Sequence, residues 1–117
     1  MTDRIAELTL RLRDFVAERD WSQFHNPKNL AMMLASEAGE LLAEYRWITT
    51  VDADDWSQKP ANKDRVAMEA ADIAIALLLL SDRIGVDLPS AIARKIELNA
   101  QNYPVSTSKG RAFRSDA

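Results

Sequence analysis

Apolar residues recur along this chain every three or four positions, and no stretch alternates strictly between apolar and polar, so the pattern predicts helices throughout and no strands. Between residues 3 and 19, Ile5, Leu8, Leu12, Phe15 and Val16 share one face, with Thr2 or Asp3 as the cap and Arg4, Arg11 and Arg13 facing away. A polar loop follows and ends at Asn26-Pro27, a cap and a proline suited to a first helical turn. A second helix is predicted from Pro27 to Trp47, with Leu30, Leu34, Leu42 and Tyr45 supplying contacts. Residues 48–61 break the pattern and read as a connecting loop in which Trp56 packs down as an anchor. Asn62 is the expected cap of a third helix, Lys63 to Ile84, stopped by Gly85. Asp87 and Pro89 open a fourth, with Ile92 and Ile96 facing inward. The expected fold is therefore all-α, a four-helix bundle over residues 1–105 with a flexible basic tail over 106–117.

The polar positions are less ordinary than the apolar ones. Glu37 and Glu40 are three residues apart inside the second helix, and Glu69 and Asp72 three apart inside the third, so each pair projects from one helical face. A Glu-x-x-Glu motif is usually a solvated face. Here Leu30, Met33, Leu34, Leu41 and Leu42 surround the first pair, and the uninterrupted apolar run Ile73–Leu80 follows the second. Carboxylates beside segments this apolar are hard to leave wholly in bulk water. Four of them brought together repel one another and raise each other's proton affinity, a conflict that a hard divalent cation resolves. All-oxygen ligation points to Mg²⁺, with Mn²⁺ as a substitute. Arg65 lies on the same helix, one turn before Glu69, and Gly39, costly in a helix, suggests the close approach of another helix or a ligand.

Composition narrows the class. Over 117 residues, 47% are hydrophobic and 28% charged, which fits one globular domain near the size where a partner subunit helps. A formal charge of −3 argues against a nucleic-acid polymer as partner. The absence of cysteine excludes disulfides and thiolate metal sites. The Ile73–Leu80 run is far short of the roughly 20 residues that span a bilayer. It predicts a helix buried on nearly all sides, as at a subunit interface. No membrane association is expected, and the opening Met1-Thr-Asp-Arg has no apolar core, so cytoplasm is the expected compartment.

Three further features carry two readings each, and a fourth, His25, carries one. Trp21 and Phe24 plug a gap between helices, or Trp21 stacks a nucleobase. His25, the sole histidine, is structural when taken alone. Lys95, Asn99 and Tyr103 lie along one row of the fourth helix, as a solvated face or as a grip on phosphate oxygens. The tail, with Lys109, Arg111 and Arg114, is plain disorder or a flap over a polyphosphate.

Taken in order, Arg19-Asp-Trp-Ser-Gln-Phe-His-Asn-Pro-Lys-Asn-Leu30, Glu37-Ala-Gly-Glu-Leu41 through Trp47, Glu69-Ala-Ala-Asp72, Val86-Asp-Leu-Pro89 and Lys95-Ile-Glu-Leu-Asn99 through Tyr103-Pro104 resemble the MazG-like all-α nucleoside triphosphate pyrophosphohydrolases, most closely those acting on dCTP. The resemblance covers about residues 11 to 110. It implies Mg²⁺ held by Glu37, Glu40, Glu69 and Asp72 and cleavage of a nucleoside triphosphate between the α and β phosphates. It also implies a base pocket lined by Trp21 and Trp47 with His25 nearby, phosphate or sugar contacts from Lys95, Asn99 and Tyr103, and assembly as a homodimer or homotetramer. Two positions depart from the pattern. Ser36 stands where some relatives double the first glutamate, and Ala76 stands where dCTP-cleaving relatives often carry a tyrosine that packs near the sugar.

Triphosphate hydrolysis needs positioning and charge neutralisation more than covalent help. Water made more acidic by the cation attacks phosphorus, Glu40 or Glu44 takes up the proton, and Lys95, Lys109 and Arg111 steady the departing pyrophosphate. The expected function is a pyrophosphohydrolase acting on dCTP or a modified cytosine nucleotide to clear unwanted nucleotides. The alternative is a non-catalytic helical nucleotide-binding or adaptor module. A di-iron bundle ranks behind both, since it normally requires Glu-x-x-His motifs.

Overall fold

A computed structural model describes residues 3–112, and every regular element among them is helical. The four long helices are α1 (Arg4–Glu18), α2 (Pro27–Tyr45), α4 (Pro60–Ile84) and α5 (Leu88–Asn102), and two short ones, α3 (Ala53–Gln58) and α6 (Val105–Ser108), punctuate them. A 3₁₀ turn, Ser22–Phe24, joins α1 to α2. The chain divides into two compact units, one ending at Gly85 and one beginning at Val86.

Capping explains most helix boundaries. The Asp3 carboxylate accepts from the Ile5 and Ala6 amides, whereas Thr2, the other candidate cap, lies outside the described residues. Asn26 accepts from the Asn29 amide at 2.9 Å, with Pro27 opening α2. α4 ends at Gly85 with φ +75°, a left-handed turn in which a side chain is strained.

Several boundaries differ from the sequence reading. α2 stops at Tyr45, two residues before Trp47. Residues 48–61 are not all loop, since they include α3, whose Trp56 meets Tyr45 edge to face, 5.1 Å between ring centres. α4 begins at Pro60, where proline's fixed φ suits the first turn, so Asn62 is inside the helix and does not cap it. The Asp87 carboxylate caps no backbone amide of α5 and instead accepts from the Ser90 hydroxyl.

In the first unit α2 and α4 pack along their lengths, with α1 and α3 against α4. Leu30 (1% exposed), Val16, Ala76 and Leu78 form its core. Arg13 does not face away. Its guanidinium forms a two-pronged ion pair with Asp82, tying α1 to α4. The apolar run of α4 is not enclosed on all sides, since Ala74 is exposed and Ile75 partly so. Leu42 is 70% exposed, and Gly39 has nothing within 4 Å of where a Cβ would sit, so no described helix of this chain approaches it. In the second unit Ile92 and Ile96 are exposed as well, contrary to the inward orientation expected of them. The stretch expected to be a flexible tail begins with the single helical turn of α6, and Phe113 onward, including Arg114, lies outside the described residues.

Candidate metal centre and adjoining apolar groove

The α2–α4 interface brings the two acidic motifs together. Helical spacing puts Glu37 on the α2 stripe that also carries Leu30 and Met33, and puts Glu69 and Asp72 on the α4 stripe that carries buried Ala76. One carboxylate oxygen from each of Glu37, Glu69 and Asp72 lies within 4.8 Å of the other two. Glu37 and Glu69 are half-buried and Asp72 is exposed, so the trio opens to solvent on one side. Partial burial pushes the Glu69 carboxyl above its ordinary range, and the negative charges of Glu40, Asp72, Glu37 and Glu44 add to the effect. Glu40 and Glu44 therefore belong to the same electrostatic cluster, although their oxygens are outside the trio.

The donor set fits a hard cation. In six-fold oxygen coordination, opposite ligands are about 4 Å apart around Mg²⁺ and about 5 Å apart around Ca²⁺. Carboxylate oxygens that all lie within 4.8 Å of one another are close enough to share one such ion.

Beside the trio, a groove of about 530 Å³ runs between α1 and α4. Leu12, Phe15, Ala74 and Leu78 give it apolar walls, and Trp21, His25 and Met33 also line it. Trp21 is 43% exposed and stands edge-on to Phe15, 5.7 Å between centres, leaving part of its indole available to a planar ligand. A second cavity of about 160 Å³ is lined by Arg13, Ser22, His25, Asp82 and Arg83, whose Nη1 donates to the Ser22 carbonyl at 3.3 Å. Met33 precedes Glu37 by one turn of α2 and Ala71 adjoins Asp72, so the groove, walled mainly by α1 and α4, shares α4 and the Met33 turn of α2 with the trio.

The remaining candidates are spread more widely. Trp47 follows α2 and is 84% exposed. Lys95 and Asn99 are exposed one turn apart on α5, Tyr103 caps that helix, and Lys109 and Arg111 follow α6, all within the second unit. Ala76 is 0% exposed, so its methyl packs the core and presents nothing to a ligand. Spacing alone assigned no role to Arg65, which donates to Glu44 at 3.2 Å, or to Arg13. Arg65 was detectable as a cation one turn before Glu69, but Arg13 had no such signal.

The described residues form helices throughout, with Glu37 of the first acidic motif facing both carboxylates of the second, and the MazG-like family model matches residues 32–115. The chain belongs to that family. Among individual proteins it is 39% identical to dCTP pyrophosphatase 1 of Rattus norvegicus over 99 residues, covering 85% of this chain and 58% of that protein. It is 36% identical to dCTP pyrophosphatase 1 of Homo sapiens over 96 residues, 82% of this chain and 56% of that one. The chain thus spans less than two thirds of the length of these relatives. A crystal structure of a pyrophosphatase from Archaeoglobus fulgidus superposes with a TM-score of 0.82 at 33% identity, covering 89% of this chain and 95% of that one.

Proposed function

We propose that this chain is a Mg²⁺-dependent nucleoside triphosphate pyrophosphohydrolase that converts dCTP, or a modified cytosine nucleotide, to the monophosphate and pyrophosphate. The observation that carries this reading is the convergence of Glu37, Glu69 and Asp72 from two helices. The activity for which the relatives are named, dCTP pyrophosphatase, supports the substrate class.

Glu37, Glu69 and Asp72 hold the cation, with Glu40 at their border. When bound, the cation neutralises phosphate charge and makes nearby water more acidic. Glu40 or Glu44 receives the proton that water gives up. The base lies in the apolar groove against Trp21, with His25 at its edge, and Trp47, exposed after α2, is the second aromatic assigned to the base. Lys95, Asn99, Tyr103, Lys109 and Arg111 bind the phosphates and sugar, the last two from a flap that follows the helical domain.

The same reading includes a homodimer or homotetramer in the cytoplasm. Phe24, Met32, Leu42, Trp47, Val51 and Met68 are all more than half exposed, an amount of apolar surface that a partner subunit of the same kind would cover.

The test is direct. Purified protein incubated with Mg²⁺ and a panel of nucleoside triphosphates should release pyrophosphate, fastest from dCTP or a substituted cytosine. Glu37→Ala and Asp72→Ala should reduce release by at least about 100-fold while the far-ultraviolet circular dichroism stays helical. Tight nucleotide binding without any pyrophosphate would replace this reading with that of a binding module.

A further inference from the structure

One turn before Glu69, Arg65 reaches from α4 to α2 and takes Glu44, its Nε donating to Glu44 Oε2 at 3.2 Å. An exposed ion pair by itself stabilises little. This guanidinium is held by more than one partner. Its Nη2 donates to Asn62 Oδ1 at 2.7 Å, and its carbon lies 5.9 Å from the centre of the Trp56 ring. Asn62 donates in turn to the Trp56 carbonyl at 3.0 Å. Trp56 is itself set by Tyr45, whose hydroxyl donates to Ser57 at 2.7 Å, because the Ser57 proton is already given to the Ala53 carbonyl. The short helix α3 therefore acts as a buttress that aims Arg65.

The consequence concerns Glu44. It is one turn beyond Glu40 on α2, and it contacts Arg65, which lies one turn before Glu69 on α4, so its carboxylate sits about one helical turn from the trio and an unrestrained Glu44 side chain can turn toward a cation held there. Glutamate has enough rotatable bonds to turn toward such a charge unless something holds it. Resting on the reading above, we propose that Arg65 is a positioning residue, which holds Glu44 beside the cation site and not in it, leaving that carboxylate to receive a proton. Released, Glu44 becomes an extra ligand. Metal binding then tightens as turnover slows, whereas a residue that merely braced α2 against α4 would weaken both when removed.

The experiment uses the full chain and Mn²⁺ alone, followed by the loss of the free-ion electron paramagnetic resonance signal, alongside kcat and KM for dCTP with Mg²⁺. Arg65→Met should bind Mn²⁺ on the order of tenfold more tightly and lose kcat by a similar factor, the usual size of effect for a group that orients ligands from outside the site. In a Glu44→Gln background the same substitution should leave Mn²⁺ affinity unchanged. Arg65→Lys keeps the charge but cannot grip Glu44 and Asn62 together, so it should restore only part of the difference. If Arg65→Met fails to fold, Asn62→Ala loosens the same guanidinium and should shift both quantities in the same directions by less. Unchanged or weaker Mn²⁺ binding in Arg65→Met, an equal effect with and without Glu44, or full rescue by lysine would overturn the assignment. Wild-type protein that retains no Mn²⁺ overturns the metal reading along with it, while wild type that binds and a silent Arg65→Met overturn this inference alone.

Discussion

Glu69 and Asp82 have proton affinities displaced in opposite directions, and each displacement sets a pH dependence. Glu69 is raised by partial burial and then by its acidic neighbours. The folded, metal-free protein therefore binds this proton more tightly than the unfolded chain does, a contribution fully present below the ordinary glutamate range and lost as pH rises through Glu69's raised value. A cation takes the charged form. Metal binding should release a proton just above the ordinary glutamate range, and Mn²⁺ affinity should fall as pH drops through it, measurable by titration calorimetry in two buffers of different ionisation enthalpy. Asp82 is lowered first by its hydrogen bond from Arg13, and charge attraction from Arg13 adds to that against the opposing effect of burial. Its contribution is present above the ordinary aspartate value and is lost as pH falls through the lowered one. Asp82→Asn should remove that part of the acid sensitivity, seen as a flatter dependence of the urea midpoint on pH. Among single residues, the sequence disclosed which carboxylates were unusual. It did not disclose Arg13, because a helical wheel assigns a face but not what stands opposite it 69 positions away.

Helix ends and helix interfaces make their own demands. Asn26→Ala removes the acceptor for the Asn29 amide and should cost about 1 kcal/mol. Leu30, 1% exposed, is the largest fully buried side chain among the described residues, and Leu30→Ala should cost about 2–5 kcal/mol. Ala76→Leu should cost about 1–3 kcal/mol by overpacking, because no space surrounds a residue that is 0% exposed. All three are read from urea unfolding monitored by circular dichroism. The long helices were legible because their apolar periods extend over several turns, and for α1 and α2 because the caps Asp3 and Asn26 are explicit in the sequence. α3 was not, since six residues carry too little periodicity, and its contact through Trp56 with Tyr45 is made to a separate helix. Asn62 has a cap's residue type, but inside α4 its side chain is taken up by the Trp56 carbonyl and the Arg65 guanidinium, contacts that no local spacing encodes.

Considered as a whole, the described residues leave large apolar side chains such as Met32, Leu42, Trp47, Val51 and Met68 more than half exposed. If a second copy covers them, as proposed, sedimentation should give two or four times the single-chain mass, and the unfolding midpoint should rise with protein concentration. Among the described residues no helix is long and apolar enough to cross a membrane, in keeping with the short apolar run of α4. The chain divides at Gly85, so the acidic trio and the groove belong to one unit and the row from Lys95 to Arg111 to the other.

The sequence by itself determined that the protein is helical, where its long helices run, and that two acidic pairs each occupy one helical face. These are local facts, set by a repeat of 3.6 residues and by capping chemistry within one turn. Only the tertiary structure decided that Glu37 meets Glu69 and Asp72, that Glu40 falls outside this trio, and that Glu44 pairs with Arg65. That outcome depends on the rotation and axial offset of α2 against α4, which are set by how their buried side chains interlock, and no spacing within either helix encodes them.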